Sequence, residues 1–153
     1  MPPAVLDPPT SMEWIILGRL CLATLAGAAI GWNRHRAGKP AGVGTHALVA
    51  LGSALFVAVP IGAGAGQMDA LSRTIQGVAA GVGFLGAGEI FRDPGAGKIT
   101  GLTSAAALWV TAALGITVAA GSLFGSLTAA VLVFVVLEVA PRLEGAASAR
   151  RQE

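Results

Sequence analysis

Charge is scarce in this chain. Only 12% of its 153 residues are Asp, Glu, Lys or Arg, against roughly 25% in a soluble domain. Ten basic and eight acidic side chains cannot clothe a body in which 54% of residues are apolar, so lipid must cover what water cannot. Cysteine is nearly absent: Cys21 stands alone inside an apolar run, which excludes an internal disulfide and a thiolate metal site. Carboxylate clusters and paired histidines are missing from the apolar runs, so the hard-oxygen cage that Mg²⁺ needs cannot be assembled there. No nucleophile stands at a workable spacing from a base, which argues against an enzyme, and nothing calls for a metal or another cofactor. The net charge is only +2, with the bases in short segments between apolar runs. That placement reads as membrane topology and speaks against nucleic acid as a partner.

What the chain has is length in its apolar stretches. Five of them, Trp14 to Trp32, Thr45 to Gly64, Leu71 to Phe91, Leu102 to Ala119 and Ser122 to Ala140, reach the roughly 17 to 25 residues of a spanning helix. As one helix the last two would run roughly 58 Å, nearly twice the hydrocarbon thickness, so a turn is expected at Gly121 and Ser122. The expectation is an all-α transmembrane bundle of five spans over 14–140. A disordered external tail over 1–13 precedes it and a cytoplasmic tail over 141–153 follows. Alternation across five spans puts Arg34, Arg36, Lys39, Arg92, Lys98, Arg142, Arg150 and Arg151 on one side and Arg73 alone on the other. The positive-inside rule then sets the N-terminus out and the C-terminus in. A cleaved signal peptide fits poorly, because Asp7 and Glu13 precede the first run and Arg34 and Arg36 follow it.

The 22 glycines suggest how the helices dock, since close backbone approach drives association in lipid. Gly27 with Gly31, Gly77 with Gly81, and Gly121 with Gly125 form small-xxx-small pairs, and Gly83, Gly86 and Gly88 extend the third run. On this reading Gly81 is a packing position and Val133 faces lipid. Gly81, Gly83 and Gly86 also spell G-x-G-x-x-G, but inside an unbroken apolar run and not in a strand-turn-helix unit, so no dinucleotide site is implied. Gly97-Lys98-Ile99 fails as a P-loop because Ile99 stands where Ser or Thr is needed.

Ionisable groups at a helix centre cost about 2.5 to 3.5 kcal/mol, which makes them functional candidates. Arg19 lies roughly 8 Å inside the first span. It either snorkels to the headgroups or faces inward, where Gln76, a helix-terminal carbonyl or an acid can accept from it, with Asp69 the favoured acid. Glu89 with Arg92 and Glu138 with Arg142 have spacings that share one helix face. Thr45, His46, Gln76, Thr103 and Ser104 open spans, where Thr45 and Thr103 can serve free backbone donors.

Four blocks carry a resemblance: RLCLATLAGAAIG (19–31), KPAGVGTHALVALGSALF (39–56), RTIQGVAAGVGFLGAGEIF (73–91) and GLTSAAALWVTAALG (101–115). In this order the chain resembles the MgtC/SapB family of bacterial inner-membrane proteins. The resemblance implies a five-span multi-pass protein of the inner membrane, linked to adaptation to low magnesium and, in intracellular pathogens, to virulence inside macrophages. It also implies regulation of a partner membrane protein, with the F-type ATP synthase as a proposed target. Longer members add a soluble C-terminal domain, and this chain looks like the short form. Arg19, Lys39, Thr45, His46, Arg73, Gln76, Thr103, Trp109 and the glycines between 83 and 88 match the family pattern. After the first span Gly31-Trp32-Asn33-Arg34-His35 departs from the family's Gly-Leu-Glu-Arg-Glu, and Gly42-Val43-Gly44-Thr45-His46 from its Gly-Leu-Arg-Thr-His. The leading expectation is therefore a non-enzymatic regulator; the alternative is a small ion transporter or channel built by self-association.

Overall fold

The computed structural model describes residues 10–62, 67–92 and 99–149. It contains five helices: α1 (Ser11–Arg36), α2 (Val43–Gly62), α3 (Gln67–Glu89), α4 (Leu102–Ala119) and α5 (Leu123–Ala149). Three are long and apolar enough to cross a membrane by length and composition: Ser11–Arg36, Leu102–Ala119 and Leu123–Leu143. Val43–Val59 is a shorter apolar helix. Residues 1–9 of the expected external tail, together with Lys98, Arg150 and Arg151, lie outside the described residues.

Local chemistry explains where the helices begin and end. α1 starts at Ser11, ahead of the expected Trp14, because Thr10 and Glu13 form a reciprocal capping box that satisfies free N–H groups of the first turn. It closes at Gly38, where φ is +68°. There Gly38 N–H donates to the His35 carbonyl and Lys39 N–H to the Arg34 carbonyl, the two bonds of a Schellman stop. Gly121, at φ +88°, makes the expected turn between α4 and α5. Beyond expectation, α3 ends at Glu89, and the residues Phe91–Arg92 (β1) pair antiparallel with Ile99–Thr100 (β2). Two-residue strands are too short to leave a periodic signal in the sequence. α5 also continues through Pro141 to Ala149, so the first residues of the expected C-terminal tail are helical.

α4 is the centre. Half of its apolar window is buried, against 22% for α1 and 11% for α5, and it packs against all four other helices. Its buried residues, among them Ser104, Ala107, Leu108, Thr111, Ala112 and Gly115, recur at three- and four-residue steps as one helix face requires. Neighbours approach at backbone distance. A Cβ on Gly27 would stand 2.5 Å from the His46 carbonyl oxygen, and one on Gly31 2.6 Å from that of Gly42. One on Gly115 would collide with the Ala50 carbonyl. The first two contacts set α1 antiparallel to α2, and Ala50 at Gly115 with His46 at Thr111 sets α2 parallel to α4. Gly86 over Ala105, with the earlier Val78 and Val82 packed in one cluster with the later Leu108 and Ala112, sets α3 antiparallel to α4.

The third-helix stripe behaves differently. A Cβ on Gly77, Gly81, Gly83 or Gly88 would meet nothing within 4 Å, so within this chain those glycines dock no helix. Val133 is half-buried and packs against the cluster of Ile30, Ala107, Leu114 and Leu137; it does not face outward as expected.

Candidate functional site

The buried face of α1 runs Ala23, Gly27, Ile30, Gly31 and Arg34. Its last member is an arginine with 2% exposure. Nε and Nη2 of Arg34 are buried without a hydrogen-bond partner. On α2, His46 is fully buried. The His46 Nδ1 is 2.8 Å from Thr111 Oγ1, and that hydroxyl donates to the Ala107 carbonyl at 2.8 Å. With the hydroxyl proton committed to Ala107, Thr111 can only accept, so Nδ1 carries the imidazole hydrogen. His46 Nε2 then presents a bare lone pair, and it too is buried without a partner. The bundle thus buries unpartnered donors on Arg34 and an unpartnered acceptor on His46, the latter anchored by Thr111 on the central helix.

A second polar junction sits at the opposite end. Arg19 is half-buried, and its Nη1 donates to the Ala119 carbonyl at 2.9 Å, the last residue of α4. A helix C-terminus offers both a free carbonyl and the negative end of its dipole. Gly121 packs on the guanidinium, where an added Cβ would lie 2.6 Å from Nη2. The acceptor is therefore the helix-terminal carbonyl. The favoured acid, Asp69, is exposed and makes no ion pair with Arg19 among the described residues. Gln76 is exposed and donates to Ser72 Oγ at 3.3 Å.

The other candidates are scattered. Lys39 and Arg73 are exposed, on the α1–α2 connection and on α3. Thr45 is exposed in the first turn of α2, and α4 is capped by the backbone of Gly101 with no side-chain bond, so Thr103 does not cap it. Trp109 is 51% exposed. Glu89 has a buried, unpartnered Oε2 and makes no ion pair with Arg92 among the described residues. The helix stops at Glu89 and Arg92 lies on β1, so the three-residue helical spacing no longer applies. Glu138 does pair with Arg142, at 3.0 Å, and also accepts from Asn33 Nδ2 at 2.7 Å. Among the described residues no group of three or more His, Cys, Asp and Glu converges.

Sequence reasoning names Arg34 only as a topological base and Ser104 only as a span opener, and it misses Thr111. The available signal was spacing: 23, 27, 30, 31 and 34 advance by helical steps, and so do 104, 107, 108, 111 and 115.

Two grooves flank the polar core. The larger, of about 600 Å³, lies between α2 and α3 and is apolar, with Phe56, Leu48, Val82 and Leu85 on its walls and Gly77 and Gly81 along one side. The second, of about 450 Å³, lies between α1 and α5 near Arg36 and Arg142.

The chain is similar in sequence to several curated proteins. Protein SrpB of Synechococcus elongatus is 55% identical over 71% of this chain and 66% of its own length. YhiD of Escherichia coli, whose name carries a provisional assignment as a magnesium transporter, is 42% identical over 83% of this chain and 60% of its own. MgtC of Salmonella typhimurium is 35% identical over 74% and 47%. The chain thus spans about half to two thirds of the length of the curated relatives it matches. No solved structure matches it. The MgtC family profile covers residues 20–146, which takes in most of α1, all of α2 to α4 and nearly all of α5, and the chain belongs to the MgtC family.

Proposed function

We propose that this chain is a five-span protein of the bacterial inner membrane, N-terminus out and C-terminus in, that serves magnesium homeostasis without enzymatic activity by docking on a larger membrane protein. The observation that carries the reading is the division of labour between its polar and open surfaces. The polar groups deep in the bundle face inward, onto Thr111, Ala107 and Ala119, while the groove of about 600 Å³ between α2 and α3 is apolar and edged by unfilled glycines. Such a groove suits a helix from another protein, because small residues admit a partner backbone at close range. An ion path needs polar groups lining a channel. The name of YhiD and the family resemblance supply the magnesium setting, and the family resemblance supplies the F-type ATP synthase as a partner to test. Helix directions support the topology, since Arg34, Arg36, Arg92 and Arg142 gather at one end of the bundle, the end the positive-inside rule assigns to the cytoplasm.

The name of YhiD favours transport as a second reading. Purified chain in liposomes separates the two. Magnesium influx equal to that of empty vesicles is the expected result; a saturable influx abolished by Glu89→Gln would favour transport.

A further inference from the structure

The groove between α1 and α5 is half polar and half apolar. Arg36, Asn33, Glu138 and Arg142 form its rim, and Phe134 and Leu137 belong to its apolar wall. Trp32, 58% exposed, stands beside them. The charges on the rim do not balance. Glu138 is engaged by Arg142 and by Asn33, whereas Arg36 has no bonded partner among the described residues, which leaves one net positive charge. α1 and α5 touch only sparsely along their length, so the groove of about 450 Å³ stays open on the outer surface of the bundle.

We infer that this groove is a binding site for one anionic glycerophospholipid, with the headgroup phosphate on Arg36 and Arg142 and an acyl chain along Phe134 and Leu137. Basic pockets between helices at the cytoplasmic face are where acidic headgroups bind, and an indole at that depth belongs to the interfacial belt. Arg36 offers a planar fork that matches two phosphate oxygens. The apolar wall distinguishes a lipid from a free phosphate, which could use only the rim. Glu138 opposes the phosphate and divides the attention of Arg142, so its removal should tighten the site. The inference rests on the chain lying in a bilayer, but not on any partner protein.

The test uses the full chain purified in a neutral detergent, titrated with phosphatidylglycerol or phosphatidylcholine and followed by native mass spectrometry, with glycerol phosphate as the soluble control. Phosphatidylglycerol should be retained at least about tenfold better than phosphatidylcholine, and glycerol phosphate should not compete. Arg36→Gln should weaken phosphatidylglycerol binding about fivefold, as should Arg142→Gln, as expected for one basic group near a headgroup. Glu138→Gln should strengthen it, and Arg73→Gln, at the other end of α3, should leave it unchanged. Equal retention of the two lipids, no effect of Arg36→Gln, or an equal effect of Arg73→Gln would overturn the assignment. Arg36 is exposed and has no bonded partner among the described residues, so its variant keeps the fold and the result stays readable.

Discussion

Arg19 gives its hydrogen bond to a backbone carbonyl, and that acceptor determines which replacements it tolerates. One N–H to one carbonyl does not require the guanidinium fork, and an ammonium can supply the same bond with the same charge. Arg19→Ala should therefore lower stability by about 1.5 to 3 kcal/mol, the range for a hydrogen bond to a charged group, while Arg19→Lys should keep most of it. Thermal unfolding in detergent reads both; equal losses for Ala and Lys would show that the fork, and not the single bond, matters. At the other polar junction, Thr111→Val removes the acceptor of His46 Nδ1 and leaves a buried donor unpaired, a cost of about 1 to 3 kcal/mol. Thr111→Ser keeps the hydroxyl and should cost clearly less. If Val and Ser behaved alike, the His46–Thr111 bond would have no part in holding α2 to α4.

At the scale of the helix, the glycines fall into two classes that their spacing does not distinguish. Gly27→Ala would place a methyl 2.5 Å from the His46 carbonyl oxygen and 2.7 Å from Ala50 Cβ, so α1 and α2 must separate, with an overpacking loss of about 1 to 3 kcal/mol. Gly81→Ala meets nothing within 4 Å, and its stability should stay within about 0.5 kcal/mol of the parent. Melting temperatures of the two variants in one detergent decide this, and a loss for Gly81→Ala as large as that for Gly27→Ala would contradict an open α2–α3 groove. The contrast marks how far the sequence could be read. The turn at Gly121 was legible because a single helix across it would be too long, and the Glu138–Arg142 pair because both lie on one continuous helix. The outward stripe of α3 was not. A glycine pair shows that a backbone can come close, but says nothing about which chain supplies it. Arg34 was counted as a topological base because its burial depends on α2 and α4 arriving from elsewhere in the sequence. In an apolar chain both faces of a helix are hydrophobic, so periodicity names the inner face only faintly.

For the molecule as a whole, the bundle buries Arg34, His46 and Thr111, ties Arg19 to the end of α4 and leaves a glycine-edged apolar groove between α2 and α3. The proposed topology predicts that a cytoplasm-active reporter fused at Glu153 works and a periplasm-active one does not; the reverse would contradict five spans with the C-terminus in. The central claim is that the α2–α3 groove receives a helix of another membrane protein. Its most direct measurement places a photo-reactive amino acid at Gly81 in the full chain, irradiates native membranes and identifies the adducts by mass spectrometry. The account predicts a defined adduct with a larger membrane protein, lost when Gly77→Leu fills the groove, at unchanged thermal stability of the chain. Adducts confined to lipid or to a second copy of the chain, unaffected by Gly77→Leu, would contradict it.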